Sequence, residues 1–240
     1  MSVLPVAIAG ATGRMGSLVA RAVEADAGLH LVATPARGAL DAEWNGAKAL
    51  GDFTSPEGTL ALADLAAARG VGLVVGTTGL DAAVRTALER ASQRVPVLIA
   101  PNLSPGIAAM KRALAAALAA LPEFDVEIVE RHHAAKVDSP SGTALALVKV
   151  VQEARPGTTL RAGREGRVGP RPAGEIGVHS LRGGAWVGVH EVVLAGPFES
   201  LELTHVAHDR AAFAQGAVAA LKFVARARPG LFGLEDVYEA

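Results

Sequence analysis

The 240-residue chain has no cysteine and little aromatic character, with 6 Phe, 2 Trp and 1 Tyr. Without thiols it can form no disulfide, no cysteine-ligated zinc site and no thiol nucleophile, a composition compatible with a reducing cytosol. Half of the residues are hydrophobic but only 4% are aromatic, so the core must be built from Ala, Val and Leu. That suits buried parallel strands and closely packed helices. Net charge is also lacking: 23 Lys and Arg against 24 Asp and Glu leave −1, which argues against a polyanion binder, and no nucleic-acid partner is expected. No uncharged apolar run reaches the roughly 20 residues of a membrane helix, and residues 1–6 lack a basic segment leading into a long apolar one. A soluble cytoplasmic protein with no membrane partner is the expectation. The length accommodates two modest domains.

What the chain does have is concentrated in residues 130–143, Glu-Arg-His-His-Ala-Ala-Lys-Val-Asp-Ser-Pro-Ser-Gly-Thr. Two imidazoles, an ammonium group and a Ser-Gly-Thr turn stand directly before the apolar run 144–151, which reads as a helix. Any one of these groups alone reads as part of a solvated loop; together they suit anion binding and proton movement, provided that the rest of the chain supplies a partner.

Residues 3–9 form a short apolar run that leads into Gly10, Ala11, Thr12, Gly13, Arg14, Met15 and Gly16, followed by helical spacing at Leu18, Val19, Ala22 and Val23. Strand, glycine turn and helix in that order make a dinucleotide-binding unit. The glycines let the chain turn tightly and let a pyrophosphate approach backbone amides at a helix N-terminus, although their spacing is G-x-x-G-x-x-G. A second strand is expected over 29–34. At its end Pro35, Ala36, Arg37 and Gly38 provide no acid for ribose hydroxyls, and the first acid is Asp41. Arg37 can instead pair with a 2′-phosphate, so NADPH is the expected cofactor, with NADH possible.

The poorly patterned residues 39–52 predict an abbreviated third strand ending at 53–54. Ser55 and Pro56 open a helix that runs to about Arg69. Strands over 71–75 and 95–100 flank a helix over 81–93, and they end in the turns Gly76-Thr77-Thr78-Gly79 and Pro101-Asn102-Leu103-Ser104. This alternation predicts an α/β class with an N-terminal Rossmann-like, doubly wound parallel sheet. After Ser104 the pattern changes to an Ala-rich helix over 107–121, an alternating strand over 124–130, and strands over 175–181, 186–194 and 201–205, an α+β domain with a mixed sheet. Residues 161–172 read as a flexible basic loop, either a plain connector or a lid near an anionic ligand. A helix over 211–227 is expected to pack back on the first domain. The expected division is therefore 1–104 with 211–240, and 105–210.

In order and spacing, residues 10–16, 76–79, 100–104, 130–143 and 201–216 resemble the motifs of the 4-hydroxy-tetrahydrodipicolinate reductases, the dihydrodipicolinate reductase family of lysine and diaminopimelate synthesis. The likeness covers essentially the whole chain. It implies NAD(P)H-dependent reduction of a cyclic dicarboxylate. His132 would be the proton donor and Lys136 a second catalytic group that also binds substrate carboxylates with His133, Ser141, Gly142 and Thr143. Cofactor contacts would fall on Gly10, Ala11, Thr12, Gly13, Arg14, Met15, Arg37, Phe53, Gly76, Thr77, Thr78, Ala100, Pro101, Asn102 and Leu103. A homotetramer assembled through the second sheet is also implied. Two positions depart from the family pattern: Ala36 stands where many members carry a ribose-binding acid, and Ala135 where some carry a further His.

The residue types suit that chemistry. Hydride addition leaves charge that a proton must match, and histidine is the side chain closest to carrying that proton near neutrality. Adjacent strand residues face opposite ways, so His132 and His133 divide into a donor and a pocket group. Adjacent histidines also make a poor chelate, so no metal is expected. Lys136 offers a compact charge, residues 141–143 a hydroxyl and helix-start amides, and Arg210 a further cation. The alternatives are another NAD(P)-dependent dehydrogenase of an amino or semialdehyde substrate, and a non-catalytic NADPH-binding sensor. Acylating semialdehyde dehydrogenases are disfavoured by the absent thiol.

Overall fold

The structure, a computed structural model, describes residues 3–238; the two residues at each terminus, assigned above to the first domain, lie outside them. The chain forms two compact units, Met1–Pro105 with Arg210–Ala240, and Gly106–Asp209.

The first unit opens with β1 (Leu4–Ala9), α1 (Arg14–Ala25), β2 (Leu29–Ala33), β3 (Ala49–Asp52), α2 (Pro56–Arg69), β4 (Gly72–Val75), α3 (Ala82–Ser92) and β5 (Pro96–Ile99). The helix boundaries follow from local chemistry. Ser55 Oγ accepts from Gly58 N–H at the start of α2, Pro56 occupies its first turn, and Gly70 at φ 66 closes it in the left-handed conformation. Asp81 accepts from Val84 N–H to start α3. The third strand ends at Asp52, one residue short of the expected 53–54. There the Asp52 carboxylate accepts from Thr54 N–H (3.0 Å), Thr54 Oγ1 (2.6 Å) and Thr59 Oγ1 (2.5 Å), which turns the chain out of the sheet.

The second unit contains α4 (Pro105–Ala120), β6 (Asp125–His132), α5 (Gly142–Ala154), β7 (Thr159–Ala162), β8 (Glu175–Arg182), β9 (Gly188–Ala195) and β10 (Ser200–Ala207). Its sheet order is β10-β9-β6-β8-β7. β6 pairs parallel with β8 and antiparallel with β9, so the sheet is mixed. Ile107, Leu114 and Leu118 of α4 and Leu147 and Val151 of α5 pack with Val126, Ile128, Ile176, Val192 and Leu194 in one apolar core.

Residues 161–172 correct the expectation of a flexible basic loop. Arg161 and Ala162 belong to β7, and Arg164 and Arg171 meet acids on the sheet. Arg164 donates to Glu127 (2.7 Å) and Glu175 (2.5 Å), Arg171 donates to Glu127 (2.7 Å), and His179 Nε2 lies 2.8 Å from the same carboxylate. Although burial opposes its charge, Arg164 and His179 hold the Glu127 carboxyl below its usual range. Trp186 lies in the connection before β9 instead of in the strand, since residues 183–187 carry the chain from β8 past β6 to β9, whose ladder with β10 starts at Gly188.

The chain then returns to the first unit as α6 (Ala211–Val224) and β11 (Gly230–Phe232). β11, too short to be recognised by pattern, pairs parallel with β5. The completed sheet, β11-β5-β4-β3-β1-β2, is parallel throughout. The chain runs outward from β1 to β2 and then back to β3 on the other side of β1, so the order reverses between β1 and β3. Ligands of open α/β sheets bind beyond the carboxyl ends of strands at such a point.

Candidate functional site

The first group of candidate residues is built at that reversal. Gly10 has φ 78, and a Cβ there would lie 2.3 Å from Phe53 O; a Cβ on Gly16 would lie 2.1 Å from Gly10 O. These two glycines allow the turn after β1 to lie against the end of β3 and the first turn of α1 to lie against the loop. Gly13 caps α1 without any side-chain acceptor, so the helix start presents amides and a positive dipole end to an anion. A cavity of about 760 Å³ opens here, lined by Gly10, Ala11, Thr12, Gly13, Arg37 and Phe53 among others. A second, of about 290 Å³, is lined by Met15, Phe53, Gly76, Thr78, Ala100, Pro101, Asn102, Leu103 and Arg210. Phe53 borders both.

Arg14 and Thr77 line neither cavity. Arg14 is exposed at the first position of α1. Thr77 is buried and its Oγ1 accepts from Thr54 N–H (3.0 Å), tying together the turns after β3 and β4. Arg210 belongs to the first unit, where it precedes α6 beside Asn102 and Thr78. Sequence reasoning missed Glu57, which lines the larger cavity with Arg37. Hydrogen bonding to Ser55 is the main influence that keeps its carboxyl below the usual range, and the Arg37 charge adds to it. The glycine cradle and the uncapped helix start fit the pyrophosphate of a dinucleotide.

The second group of residues lies at the carboxyl end of β6. Glu130 is fully buried, and its Oε2 lies 2.5 Å from His132 Nδ1. Arg182 grips both carboxylate oxygens at 2.8 Å, and Ser141 N–H donates to Oε1 at 3.2 Å. Burial opposes the charge, but hydrogen bonds from Arg182, Ser180 and His132 hold the Glu130 carboxyl down at about 2. Burial also lowers His132, against the opposing pull of Glu130. His132 Nε2 has no hydrogen-bond partner among the described residues, and a Cβ on Gly188 would stand 3.2 Å from it. His190 packs edge-on against His132 at 5.2 Å, with its Nε2 3.3 Å from Ser141 Oγ.

His133 is half-buried, with its N–H bonded to Trp186 O. The Lys136 ammonium meets Asp138 at 2.8 and 2.9 Å, so part of its charge is already matched. The expected anion cradle at 141–143 needs correction at its first residue. Ser141 N–H is taken by Glu130, and Ser141 Oγ caps α5 through Ala144 N–H (3.1 Å), because a helix start must satisfy its own first amides. Gly142 is exposed and Thr143 buried. Sequence reasoning placed Glu130 at the head of this stretch without giving it a role, and it missed Arg182 and His190 as members of the cluster. Glu130 had left a signal: it stands two residues before His132 on the face that buries Val126 and Ile128, a charge where the alternation calls for an apolar residue. Among the described residues no group of three or more His, Cys, Asp or Glu is arranged to hold a metal ion, and no helix is long and apolar enough to cross a membrane.

The buried imidazole makes acid stability a readout of this cluster. Burial, with the charge of His132, pushes His190 down to about 3 from 6.5. Between those values the unfolded chain binds a proton that the folded chain refuses, so stability falls as pH drops below about 6.5. Glu130, with a depressed folded value, contributes stability that is present above 4.5 and lost as pH falls towards 2. Urea unfolding from pH 7 to 4.5 should therefore lose up to a few kcal/mol in the native chain. His190→Gln should flatten the decline, and an equally steep decline in the variant would remove His190 as its source.

A parallel sheet with a glycine cradle at its point of reversal, followed in the same chain by a mixed-sheet unit carrying a buried carboxylate–imidazole pair, is the architecture of a nicotinamide-dependent oxidoreductase. Residues 4–103 match the sequence family "Dihydrodipicolinate reductase, N-terminus" and residues 106–238 match "Dihydrodipicolinate reductase, C-terminus", and the chain belongs to that family. It is 44% identical over 260 residues to a 4-hydroxy-tetrahydrodipicolinate reductase of Thiobacillus denitrificans, covering 97% of each chain. A Myxococcus xanthus protein of the same name is 48% identical over 190 residues, 78% of this chain and 70% of that one. Among solved structures, a dipicolinate-bound dihydrodipicolinate reductase from Paenisporosarcina sp. TG-14 shares the fold with a TM-score of 0.79 at 23% identity, covering 98% of this chain and 99% of that chain.

Proposed function

We propose that this protein reduces 4-hydroxy-tetrahydrodipicolinate to tetrahydrodipicolinate in the diaminopimelate route of lysine biosynthesis. The substrate gains a hydride and a proton and loses water. The observation that carries the reading is His132, buried, bonded at Nδ1 to a carboxylate and open at Nε2. His132 delivers the proton from Nε2. Lys136 acts with it and, together with His133, Gly142 and Thr143, binds the substrate carboxylates, for which a partly matched ammonium and an exposed helix start are suited. Arg210 is a further anion-binding cation, on the dinucleotide side.

The turn from Gly10 to Met15, with Arg37, Phe53, the turn after β4 and residues 100–103, holds the dinucleotide. When bound, the nicotinamide supplies the hydride. NADPH is the preferred form, a reading supported by Arg37 in the larger cavity and by the absence of an acid at residues 35–38. Glu57 in the same cavity tempers that preference, so NADH is used as well. The protein acts in the cytoplasm as a homotetramer built through the second sheet, a reading supported by Leu181, Leu201 and Val206, which that sheet leaves exposed.

Purified protein given synthase-generated substrate and NADPH should lower absorbance at the nicotinamide band, and no oxidation above background would sink the reading. Arg37→Ala should weaken NADPH binding about tenfold, the order expected for one charge-assisted contact, with little change for NADH. Fluorescence titration with each nucleotide distinguishes this from a general loss, in which both affinities would fall together.

A further inference from the structure

Glu130 has no part in the reaction as stated, yet its carboxylate is fully buried and both of its oxygens are bonded. Its Oε1 receives Arg182 Nη2 at 2.8 Å and Ser141 N–H at 3.2 Å, and its Oε2 receives Arg182 Nη1 at 2.8 Å and His132 Nδ1 at 2.5 Å. Parallel pairing brings these groups together, since Glu130 is in register with Ser180 and His132 with Arg182. An ionised carboxylate can only accept hydrogen bonds, so Nδ1 must be the donor.

We infer that Glu130, clamped by Arg182, is the positioning residue of this site: it fixes the His132 ring with its proton on Nδ1, so that the proton gained and lost in each turnover resides on Nε2. The inference rests on the reading of His132 as proton donor. The ring otherwise has an unconstrained choice, because Gly188 leaves space beside Nε2 and His190, from β9, meets it only edge-on. The other charged and titratable groups around the ring are Arg182 from β8, Lys136 with its partner Asp138 from the following loop, and His205 from β10 behind His190. Glu130 favours the imidazolium, whereas Arg182 and Lys136 oppose it.

Glu130→Gln separates positioning from mere structure, because an amide cannot satisfy all of these donors. If its oxygen faces His132, its NH2 group confronts Ser141 N–H, which can never accept; if the NH2 group faces His132, the imidazole can switch tautomer and accept at Nδ1. The variant should therefore place the neutral ring's proton on Nε2. Nitrogen-15 spectra of histidine-labelled protein read this directly, with Nδ1–H in the native chain and Nε2–H in Glu130→Gln. Turnover at pH 8 should fall about 100-fold, within the range of a lost proton-transfer group. Its alkaline limb should move down by about one pH unit, with substrate KM changed less than about threefold and NADPH affinity retained. Arg182→Met should move the limb upward, because it removes an opposing charge. An Nε2–H tautomer in the native protein, or an alkaline limb that moves the same way in both variants, would overturn the inference. A native enzyme that fails to oxidise NADPH would instead overturn the reductase reading, and the spectra would still decide the role of Glu130.

Discussion

His132→Gln should lower kcat by about 100- to 10,000-fold, the range for removing a general acid, while substrate KM stays within about threefold. Gln keeps a polar group of similar reach but carries no transferable proton, so binding persists and chemistry does not. The measurement is steady-state oxidation of NADPH at saturating nucleotide. A donor acting only in the transition state gives parallel losses in kcat and kcat/KM; a rise in KM equal to the fall in kcat would reassign His132 to carboxylate binding. The native pH profile carries the same information. Because burial places His132 below its ordinary value, the donor form declines as pH rises through a point lower than that of a free histidine, and turnover should decline with it.

The largest expected loss of stability lies at Gly216, on the face of α6 that meets the turn after β5. A Cβ at this position would stand 1.7 Å from Leu103 O, a backbone atom that cannot swing aside as a side chain would. Gly216→Ala should destabilise the protein by roughly 3 kcal/mol or more, at the upper end for overpacking. For a chain of this size that lowers Tm by about 6–12 °C. Because Leu103 also lines the smaller cavity with Arg210 and Phe213, nucleotide affinity should fall too. Gly142→Ala is the control for stability: a Cβ there meets nothing within 4 Å, and its melting point should remain within about 1 °C. If Gly216→Ala melts with the native protein, α6 is not seated as described.

Much of this was legible where local chemistry decides structure. Ser55 and Pro56 start a helix whatever lies around them, and the step from residues 3–9 into Gly10 and Gly13 announces a strand, a tight turn and a helix. The His132 neighbourhood was readable as a cluster of groups but not as an arrangement. Glu130 and Arg182 stand 52 positions apart, and only the parallel register of β6 and β8 makes them partners. Residues 161–172 misled for the same reason: a run of arginines reads as solvated when its acids, at 125, 127 and 175, lie on strands whose pairing the local pattern cannot reveal. Strand β11 is three residues long and has no period of its own; its partner β5 makes it a strand.

The seating of α6 and β11 on the first sheet also bears on biosynthesis. Residues 106–209 are continuous in the chain, whereas the dinucleotide unit is divided around them. As the chain emerges during translation, the later unit has its complete sequence available while the earlier one still lacks the helix and edge strand that close its sheet. The order of maturation is thus opposite to the order of synthesis. The nascent nucleotide unit, with β5 unpaired on one side, is the intermediate most exposed to misassociation until residues 211–232 arrive.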